Sequence, residues 1–214
     1  MSPAFITFEG GEGCGKSVQA EMLTEYLRSK GIDVVRTKEP GGTEIGAKLR
    51  EILVQGDKDK LDYMSEILLY YADRRIHLTT KIWPALAQNK WVISDRYNDS
   101  TIAYQYYGYK CKIAKKKLDM MYDMIAGKFF PDLTFILDLD VKEGLSRSFK
   151  KAADTEKKEL RFENMDIEFH QNMRKGFLAI AKKDSKRYVV IDARGSKEEV
   201  HEKIKQIIKE RFNI

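Results

Sequence analysis

The stretch Gly10-Gly11-Glu12-Gly13-Cys14-Gly15-Lys16-Ser17 decides the fold. It fits the pattern G-x-x-x-x-G-K-[ST], in which a glycine-rich loop wraps around a polyphosphate and points backbone N–H groups at its oxygens. In this pattern Lys16 can reach the terminal phosphates, and the Ser17 hydroxyl can ligate Mg²⁺. Because a bare glycine run is more often an ordinary turn, the flanking sequence has to decide between the two interpretations.

The segments on both sides of the loop favour phosphate binding. The apolar run 4–8 is typical of a short strand and leads directly into the loop. The helix predicted after the loop begins near Lys16 and adds the positive end of its dipole to the same anion. Its apolar residues repeat at helical spacing and are Val18, Met22, Leu23, Tyr26 and Leu27. Strand, loop and helix therefore stand in the order that a nucleotide-binding loop requires.

Four further apolar runs have the length of strands. They are 32–37, 91–94, 133–139 and 188–191. Helical patterns separate or follow them, at 45–53, from 63 towards 83, and after the capping-box pair Ser196 and Glu199. Five strands separated by helices predict an α/β fold, with a five-stranded parallel sheet between two helical layers. Such sheets bind ligands at the carboxyl ends of their strands.

Length and composition indicate one soluble domain over 1–214. The chain is 43% apolar and 34% charged, and no run approaches the ~20 apolar residues of a membrane span. The first four residues lack the basic start and apolar run of a signal peptide, so we expect a cytoplasmic protein without membrane contact. Two distant cysteines, Cys14 and Cys111, provide neither a disulfide framework nor a metal-binding spacing.

The net charge of +6, from 39 Lys and Arg against 33 Asp and Glu, suggests acidic partners such as nucleotides or nucleic acid. Part of the excess lies in the lysine-rich segment 110–117. We interpret that segment as a solvated helix face in preference to a nucleic-acid patch, because a charge run alone is weak support for binding.

Residues at the predicted strand ends provide the candidate chemistry. Asp95 ends an apolar run and can hold Mg²⁺, directly or through water, together with Ser17. Beside it, the planar guanidinium of Arg96 suits phosphoryl oxygens. Glu9 immediately precedes the glycine loop and must lie near the bound phosphates. Whether Glu9 contacts a metal-bound water or the substrate is open.

Aromatic residues raise a separate question. Tyr70 and Arg74 are four apart on a predicted helix and share a face, where they could stack on a base and bond its polar edge. Tyr104, Tyr106 and Tyr107 form a second aromatic cluster. On these residues alone, core packing is the favoured explanation for both groups.

Several motifs, in order and at matching spacing, carry a more specific resemblance. They are Phe8-Glu9-Gly10, the glycine loop, 38–43 (KEPGGT), 70–74 (YYADR), 95–105 (DRYNDSTIAYQ), Pro131-Asp132-Leu133 and Ile191-Asp192-Ala193. With them the sequence resembles the thymidylate kinase (dTMP kinase) family over nearly its whole length. The resemblance implies a P-loop NTPase-type fold with strand order 2-3-1-4-5 and transfer of the γ-phosphoryl group of ATP to dTMP. It also implies a requirement for Mg²⁺ and a homodimer.

The resemblance reverses the interpretation of the aromatic residues. It implies that Tyr70 stacks on the thymine and that Arg74 bonds an edge oxygen of the base. Thr101 and Gln105 would lie at the base, and Tyr104 would crowd the ribose 2′ position and favour deoxyribose. Tyr70 replaces the family's more usual Phe, a change that preserves stacking.

The resemblance also implies which residues bind the phosphate of the acceptor nucleotide. Arg50 and Arg96 would hold it, Glu39 and Pro40 would shape the pocket, and Ser100 would contribute from the diagnostic run. The same resemblance implies that the glycine loop, Gly10 to Ser17, binds ATP. The implied catalytic residues are Glu9, Lys16, Arg96 and Arg161.

The variable positions of the loop, 11–14, contain no arginine. In this respect the chain resembles the family members that lack an arginine in the loop and supply one from a mobile lid, which here would be about 146–164. Arg147, Lys150, Lys151 and Arg161 are the candidates. Arg161 best matches the family's pattern in Arg161-Phe162-Glu163, and we hypothesise that it closes over the transferring phosphate.

Two rival functions remain open on the sequence. One is a P-loop kinase acting on a deoxynucleoside or on another monophosphate, although Arg50 and Arg96 argue for an acceptor that already bears phosphate. The other is a basic nucleic-acid-binding protein whose P-loop is regulatory, for which no recognition motif is present.

Overall fold

Each apolar run singled out in the sequence forms a strand in the computed structural model, which describes residues 2–153 and 159–214. The strands are Phe5–Glu9 (β1), Val34–Lys38 (β2), Trp91–Asp95 (β3), Leu133–Asp138 (β4) and Tyr188–Asp192 (β5). All pairings are parallel, in the order β2-β3-β1-β4-β5. The predicted fold class and strand order are confirmed.

Helices cover both faces of this sheet. Their bounds are Lys16–Ser29 (α1), Glu44–Val54 (α2), Tyr63–His77 (α3), Trp83–Ala87 (α4), Asn98–Thr101 (α5), Lys115–Ala126 (α6), Val141–Ala153 (α7), Ile167–Ala181 (α8) and Lys197–Phe212 (α9). Two π-helical segments, Leu78–Ile82 and Ile102–Gly108, continue α3 and α5. Such segments occur mostly at functional sites, and the second belongs to the diagnostic run of the sequence.

Alternate residues of β1 enter opposite halves of the core. Ile6 and Phe8 pack in the cluster formed with α1 and α9, whereas Phe5 packs in the cluster formed with α3 and α6. All three side chains are at most 1% exposed. A strand covered on both faces reads as a continuous apolar run, which is why 4–8 carried no polar alternation.

The helical pattern from 63 towards 83 is not one continuous α-helix. α3 ends at His77, a π-helical turn follows, and α4 restarts with Pro84 in its first turn. Proline has no N–H to continue the i→i−4 ladder but is well suited to a first turn, so Pro84 could end, kink or restart a helix, and the structure shows a restart.

The predicted capping box is also present. Ser196 N donates to Glu199 Oε2 at 2.7 Å, and Glu199 N donates to Ser196 Oγ at 3.2 Å. The lysine-rich segment supplies the first turn of α6, where Lys116 and Lys117 are exposed, as a solvated helix face requires. Across 2–153 and 159–214, no helix has the length and apolar character to cross a membrane.

Strand pairing places the chemistry at one edge of the sheet. Phe8 of β1 pairs with Asp95 of β3, so Glu9 and the glycine loop lie next to Asp95 and Arg96. The predicted lid, 146–164, begins within α7 and ends before α8. Its positions 154–158 lie outside the described residues.

Candidate active site

The glycine loop connects β1 to α1 through backbone conformations that favour glycine. Gly13 has φ of +66°, and a Cβ there would stand 2.0 Å from the carbonyl oxygen of Gly144. At Gly10, with φ of +137°, a Cβ would meet the carbonyl oxygen of Leu137 at 2.5 Å. Lys16 begins α1 and donates from Nζ to the carbonyl of Gly11 at 2.6 Å. The loop is therefore closely packed, with its lysine folded back across it.

Ser17 and Asp95 form the candidate metal site. The Ser17 hydroxyl donates to Asp95 Oδ2, and the buried Asp95 Oδ1 has no hydrogen-bond partner among the described residues. Mg²⁺ typically binds through one or two carboxylates, waters and substrate phosphates, so it does not need a cage of protein ligands. A hydroxyl beside a carboxylate with an unused oxygen fits that ion.

Arg96 joins the glycine loop to the residues that follow β3. Its guanidinium donates to the Gly10 carbonyl at 3.1 Å, to Ser100 Oγ at 3.1 Å and to Glu12 Oε2 at 3.0 Å. The Tyr104 hydroxyl donates to the other oxygen of Glu12, and the Arg96 guanidinium lies 4.9 Å from the Tyr104 ring centroid. Although burial opposes ionisation of Glu12, the charges of Arg96 and Lys16 lower its pKa to about 2.

Glu9 faces the same residues from the end of β1. It accepts hydrogen bonds from Tyr97 N at 2.8 Å and from Ser100 Oγ at 2.5 Å, and it is completely buried. Burial, with the nearby charge of Asp99, raises the pKa of Glu9 to about 8. The two carboxylates at either end of the loop's first turn therefore have opposite pKa shifts.

An inner cavity brings together the ten residues that the resemblance assigned to the acceptor nucleotide. Those ten residues are Glu39, Pro40, Arg50, Tyr70, Arg74, Arg96, Ser100, Thr101, Tyr104 and Gln105, and the remaining lining residues are Glu12, Val54, Tyr97, Glu159, Phe162 and Glu163.

Arg74 is rigidly held in this cavity. It is 1% exposed and donates to Glu39 Oε2 at 2.8 Å, Asn98 Oδ1 at 3.1 Å and Thr101 Oγ1 at 3.0 Å. Glu39 is fixed in turn, since its Oε1 lies 2.9 Å from Nδ1 of the buried His77. A guanidinium positioned in this way presents donors only, which suits a carbonyl oxygen on a ligand.

Arg50, the second predicted phosphate ligand, already has an anionic partner. Its Nε and Nη2 donate to Glu159 at 3.0 and 2.6 Å, and its Nη1 donates to the Pro40 carbonyl at 3.0 Å. Burial disfavours the charge, but the bonds to Glu159 raise the pKa of Arg50 above its ordinary value. A phosphate that reaches Arg50 must therefore compete with the Glu159 carboxylate.

An outer cleft shares six lining residues with the inner cavity, the cations Arg50 and Arg96 and the carboxylates Glu12, Glu39, Glu159 and Glu163. It is lined by the P-loop residues Lys16 and Ser17 and, from α7, by cations of the predicted lid. Those cations are Arg147 and Lys151. The cleft can hold a polyphosphate between a P-loop and a cationic helix, directly beside the inner cavity.

Arg161 does not lie at this cleft. It is 1% exposed and forms an ion pair with the fully buried Glu66 at 2.5 Å, and it donates to the carbonyls of Leu53 at 2.9 Å and Lys58 at 3.0 Å. The hypothesis that Arg161 closes over the transferring phosphate does not fit this geometry, because the guanidinium is already bound on three sides in the core. Of the lid candidates, the structure places Arg147 and Lys151 at the cleft instead.

Sequence reasoning missed three acidic residues around the inner cavity. Glu66 bonds Gln105, Glu159 pairs with Arg50, and Glu163 accepts from Ser148 Oγ at 2.7 Å. Glu66 had a weak signal, since it is four residues before Tyr70 and therefore lies on the same face of the helix. Glu159 had none, because its partner is 109 residues away in the chain.

Comparisons with known proteins agree with this geometry. A family model described as thymidylate kinase matches residues 8–204. The chain is 46% identical to thymidylate kinase from Magnetococcus marinus over 193 residues, covering 90% of this chain and 89% of the relative. It is 42% identical to thymidylate kinase from a Nostoc species over 209 residues, covering 97% and 96%. The crystal structure of thymidylate kinase from Ehrlichia chaffeensis superposes with a TM-score of 0.77 at 37% identity, covering 97% of this chain and 99% of that one.

Proposed function

Because the chain belongs to the thymidylate kinase family, we propose that its inner cavity binds dTMP and its outer cleft binds the triphosphate of ATP. The reaction of the family is phosphoryl transfer from ATP to dTMP, which yields dTDP and ADP as a step towards dTTP. The observation that carries the placement is the meeting of the two cavities at Arg50 and Arg96. Donor and acceptor phosphates can approach each other only at such a junction.

The base end of the nucleotide is assigned to the deep part of the inner cavity. Tyr70 provides an aromatic ring for stacking, and Arg74 provides donors for a carbonyl oxygen of the base. Gln105 and Thr101 also line this part. Tyr104 is placed at the sugar, where its hydroxyl and Glu12 form a fixed polar wall that leaves less room for a ribose 2′-hydroxyl.

The phosphate end of dTMP is assigned to Arg50 and Arg96. Both guanidinium groups line the two cavities, and each can pair with two phosphoryl oxygens. Ser100 links Glu9 to Arg96, because its hydroxyl accepts from Arg96 and donates to Glu9. The raised pKa of Glu9 lets it hold a proton near the acceptor at neutral pH. In that state Glu9 adds no negative charge to a site that must bind an anion.

The donor end follows from the P-loop. The backbone N–H groups from Gly11 to Ser17 surround the phosphates, and Lys16 moves from the Gly11 carbonyl to the terminal phosphates. Ser17 and Asp95 would hold Mg²⁺, which when bound neutralises charge on the donor phosphates. Phosphoryl transfer depends on positioning and on charge neutralisation, and these residues supply both.

We assign the lid cation at the transferring phosphate to Arg147 in place of Arg161. Arg147 lies on α7 at the outer cleft. Among the described residues it forms one ion pair, with Glu143 at 2.6 Å, and both side chains of that pair are about 40% exposed. An exposed pair of this kind contributes little free energy, so Arg147 can leave it for a phosphate at little cost. The lid itself, about 146–164, belongs to the same domain in this proposal.

A homodimer and a cytoplasmic location are also part of the proposal. Exposed apolar side chains lie on three adjacent helices: Ile45 and Ile52 on α2, Leu68 on α3, and Met120 and Met124 on α6. A surface of this kind suits a second copy of the chain. Light scattering should then give twice the chain mass of 24.9 kDa, and Leu68→Arg should halve it. The cytoplasm is where a kinase using ATP and dTMP would find both substrates.

The decisive experiment measures ADP release from ATP and Mg²⁺ with dTMP, dUMP, dCMP, dGMP, AMP and thymidine. We expect strong turnover with dTMP, weaker turnover with dUMP and negligible turnover with the others. Preference for thymidine would contradict the roles of Arg50 and Arg96. No turnover with any acceptor, together with salt-dependent DNA binding, would favour the nucleic-acid-binding alternative.

A further inference from the structure

A buried polar chain lies behind the inner cavity, on the side of the base. Arg161 donates to Glu66 Oε2 at 2.5 Å, and Gln105 Nε2 donates to Glu66 Oε1 at 2.6 Å. All three side chains are at most 1% exposed. Of the three, only Gln105 lines the cavity. Through this chain, Arg161 of the predicted lid segment is connected to Gln105 at the inner cavity.

The direction of these hydrogen bonds follows from chemistry. A guanidinium can only donate, and an ionised carboxylate can only accept. Arg161, fixed by the carbonyls of Leu53 and Lys58, thus keeps Glu66 as an acceptor. Gln105 must then donate from its NH₂ group to Glu66, which leaves its Oε1 pointing away from Glu66. A free glutamine amide could present either atom to the cavity, whereas this one has a defined orientation.

We propose that Glu66, held as an acceptor by Arg161, orients the Gln105 amide and so selects a pyrimidine whose N3 carries a hydrogen. The inference rests on the proposed placement of the thymine ring in the inner cavity. Thymine and uracil carry N3–H, a donor that matches Gln105 Oε1. Cytosine has an unprotonated N3, an acceptor that would face another acceptor. Glu66 and Arg161 contact no substrate and are positioning residues for specificity.

A single substitution should reverse the amide. In Glu66→Gln, Arg161 still donates and therefore binds the new amide's oxygen, which leaves the new NH₂ group facing Gln105. Gln105 must then accept with Oε1 and turn its own NH₂ towards the ligand, where it can donate to N3 of cytosine. Arg74 continues to favour a carbonyl over an amino group on the base, so discrimination should be reduced and not abolished.

The test compares kcat/KM for dCMP and dTMP in the wild type, Glu66→Gln and Tyr109→Phe. A site built to bond an N–H rejects analogues that lack it by up to about 10⁴-fold, so we expect Glu66→Gln to raise the dCMP-to-dTMP ratio by at least about tenfold. The change should arise mainly in KM. Tyr109→Phe is the matched control, because it removes the 3.2 Å bond from the Tyr109 hydroxyl to Glu66 but keeps both carboxylate oxygens as acceptors for Arg161 and Gln105, and it should leave the ratio unchanged.

Two further measurements keep the test decisive if Glu66→Gln folds poorly. In Arg161→Met, Glu66 loses its cation and should take up a proton. Protonated Glu66 can donate to Gln105, so this variant should also raise the dCMP-to-dTMP ratio of kcat/KM. In the wild type, dTMP methylated at N3 should lose at least about tenfold in kcat/KM relative to dTMP. An unchanged ratio in either folded variant, or full activity with the methylated substrate, would overturn the proposal. Failure of the wild type to phosphorylate dTMP would instead contradict the proposed function.

Discussion

The pairing of Arg50 with Glu159 leads to a prediction in which a substitution improves binding. Arg50 is assigned to the phosphate of dTMP, yet two of its nitrogens already donate to the Glu159 carboxylate. The incoming phosphate has to replace that carboxylate and also experiences its negative charge. Replacing Glu159 with glutamine keeps the shape of the side chain and removes the charge, so we expect Glu159→Gln to lower KM for dTMP.

The magnitude follows from the exposure of the pair. The Arg50 and Glu159 side chains are 24% and 31% exposed, which is between a surface pair and a buried pair. An exposed pair contributes ~0–1 kcal/mol, and a hydrogen bond to a charged group contributes ~1.5–3 kcal/mol. We take ~1 kcal/mol as the free energy by which the Glu159 carboxylate opposes phosphate binding at Arg50. Since ~1.4 kcal/mol is a factor of ten, KM should fall by about three- to tenfold.

The assay is steady-state ADP release over a range of dTMP concentrations at saturating ATP. KM for ATP should change less than KM for dTMP, because Glu159 bonds Arg50 directly, although it also lines the outer cleft. Glu168→Gln is the matched control. It removes the same charge from a residue that pairs with Lys110 at the surface, where both side chains are 61% exposed. An unchanged or higher KM in Glu159→Gln would refute the competition between carboxylate and phosphate at Arg50.

Three further predictions concern other parts of the site. Lys16→Met should lower kcat by about 10²–10³-fold while calorimetry still detects dTMP binding, because the lysine acts on the donor phosphates. Arg147→Ala should lower kcat by about 10³-fold or more without changing KM for dTMP, and Lys151→Ala should cost less; the opposite ranking would move the lid cation to Lys151. Glu9 has a pKa raised by burial from 4.5 to about 8, so between these values the folded protein holds a proton that the unfolded chain has released. The free energy of unfolding therefore falls as pH rises across this window. Glu9→Gln should make the melting temperature less dependent on pH there, and an equal pH dependence in both proteins would contradict the raised pKa.

The sheet and the glycine loop could be predicted because their signals are local. A buried parallel strand is an apolar run whatever its neighbours are, and the order of strand, loop and helix is present in 30 consecutive residues. Even the restart at Pro84 follows from the missing N–H of proline, although the sequence did not distinguish it from an end or a kink. The strand order came from the resemblance, because pairing of β1 with both β3 and β4 depends on contacts across more than 80 residues.

Arg161 shows where a motif is insufficient. The motif singled out an arginine within the predicted lid but carried no information about the direction of its side chain. That direction is set by Glu66, a carboxylate at 0% exposure that would be strongly destabilising without a cation. Burial raises the pKa of Glu66, and the charge of Arg161 opposes that shift. The structure was therefore needed to show both that Glu66 is buried and that Arg161 is its partner.

The two arginine–carboxylate pairs of the inner cavity differ in burial, and this difference divides their roles. Arg74 and Glu39 are 1% and 2% exposed, so separating them would leave a charge in the core at a cost of ~3–5 kcal/mol. Arg50 and Glu159 retain a quarter to a third of their exposure, and water can compensate either charge when they part. The first pair therefore remains intact and, in the proposed placement, would provide a rigid donor for the base. The second pair can open, and in the same placement it would open for the phosphate, so the adjustable contact would lie at the phosphate and the fixed contact at the base.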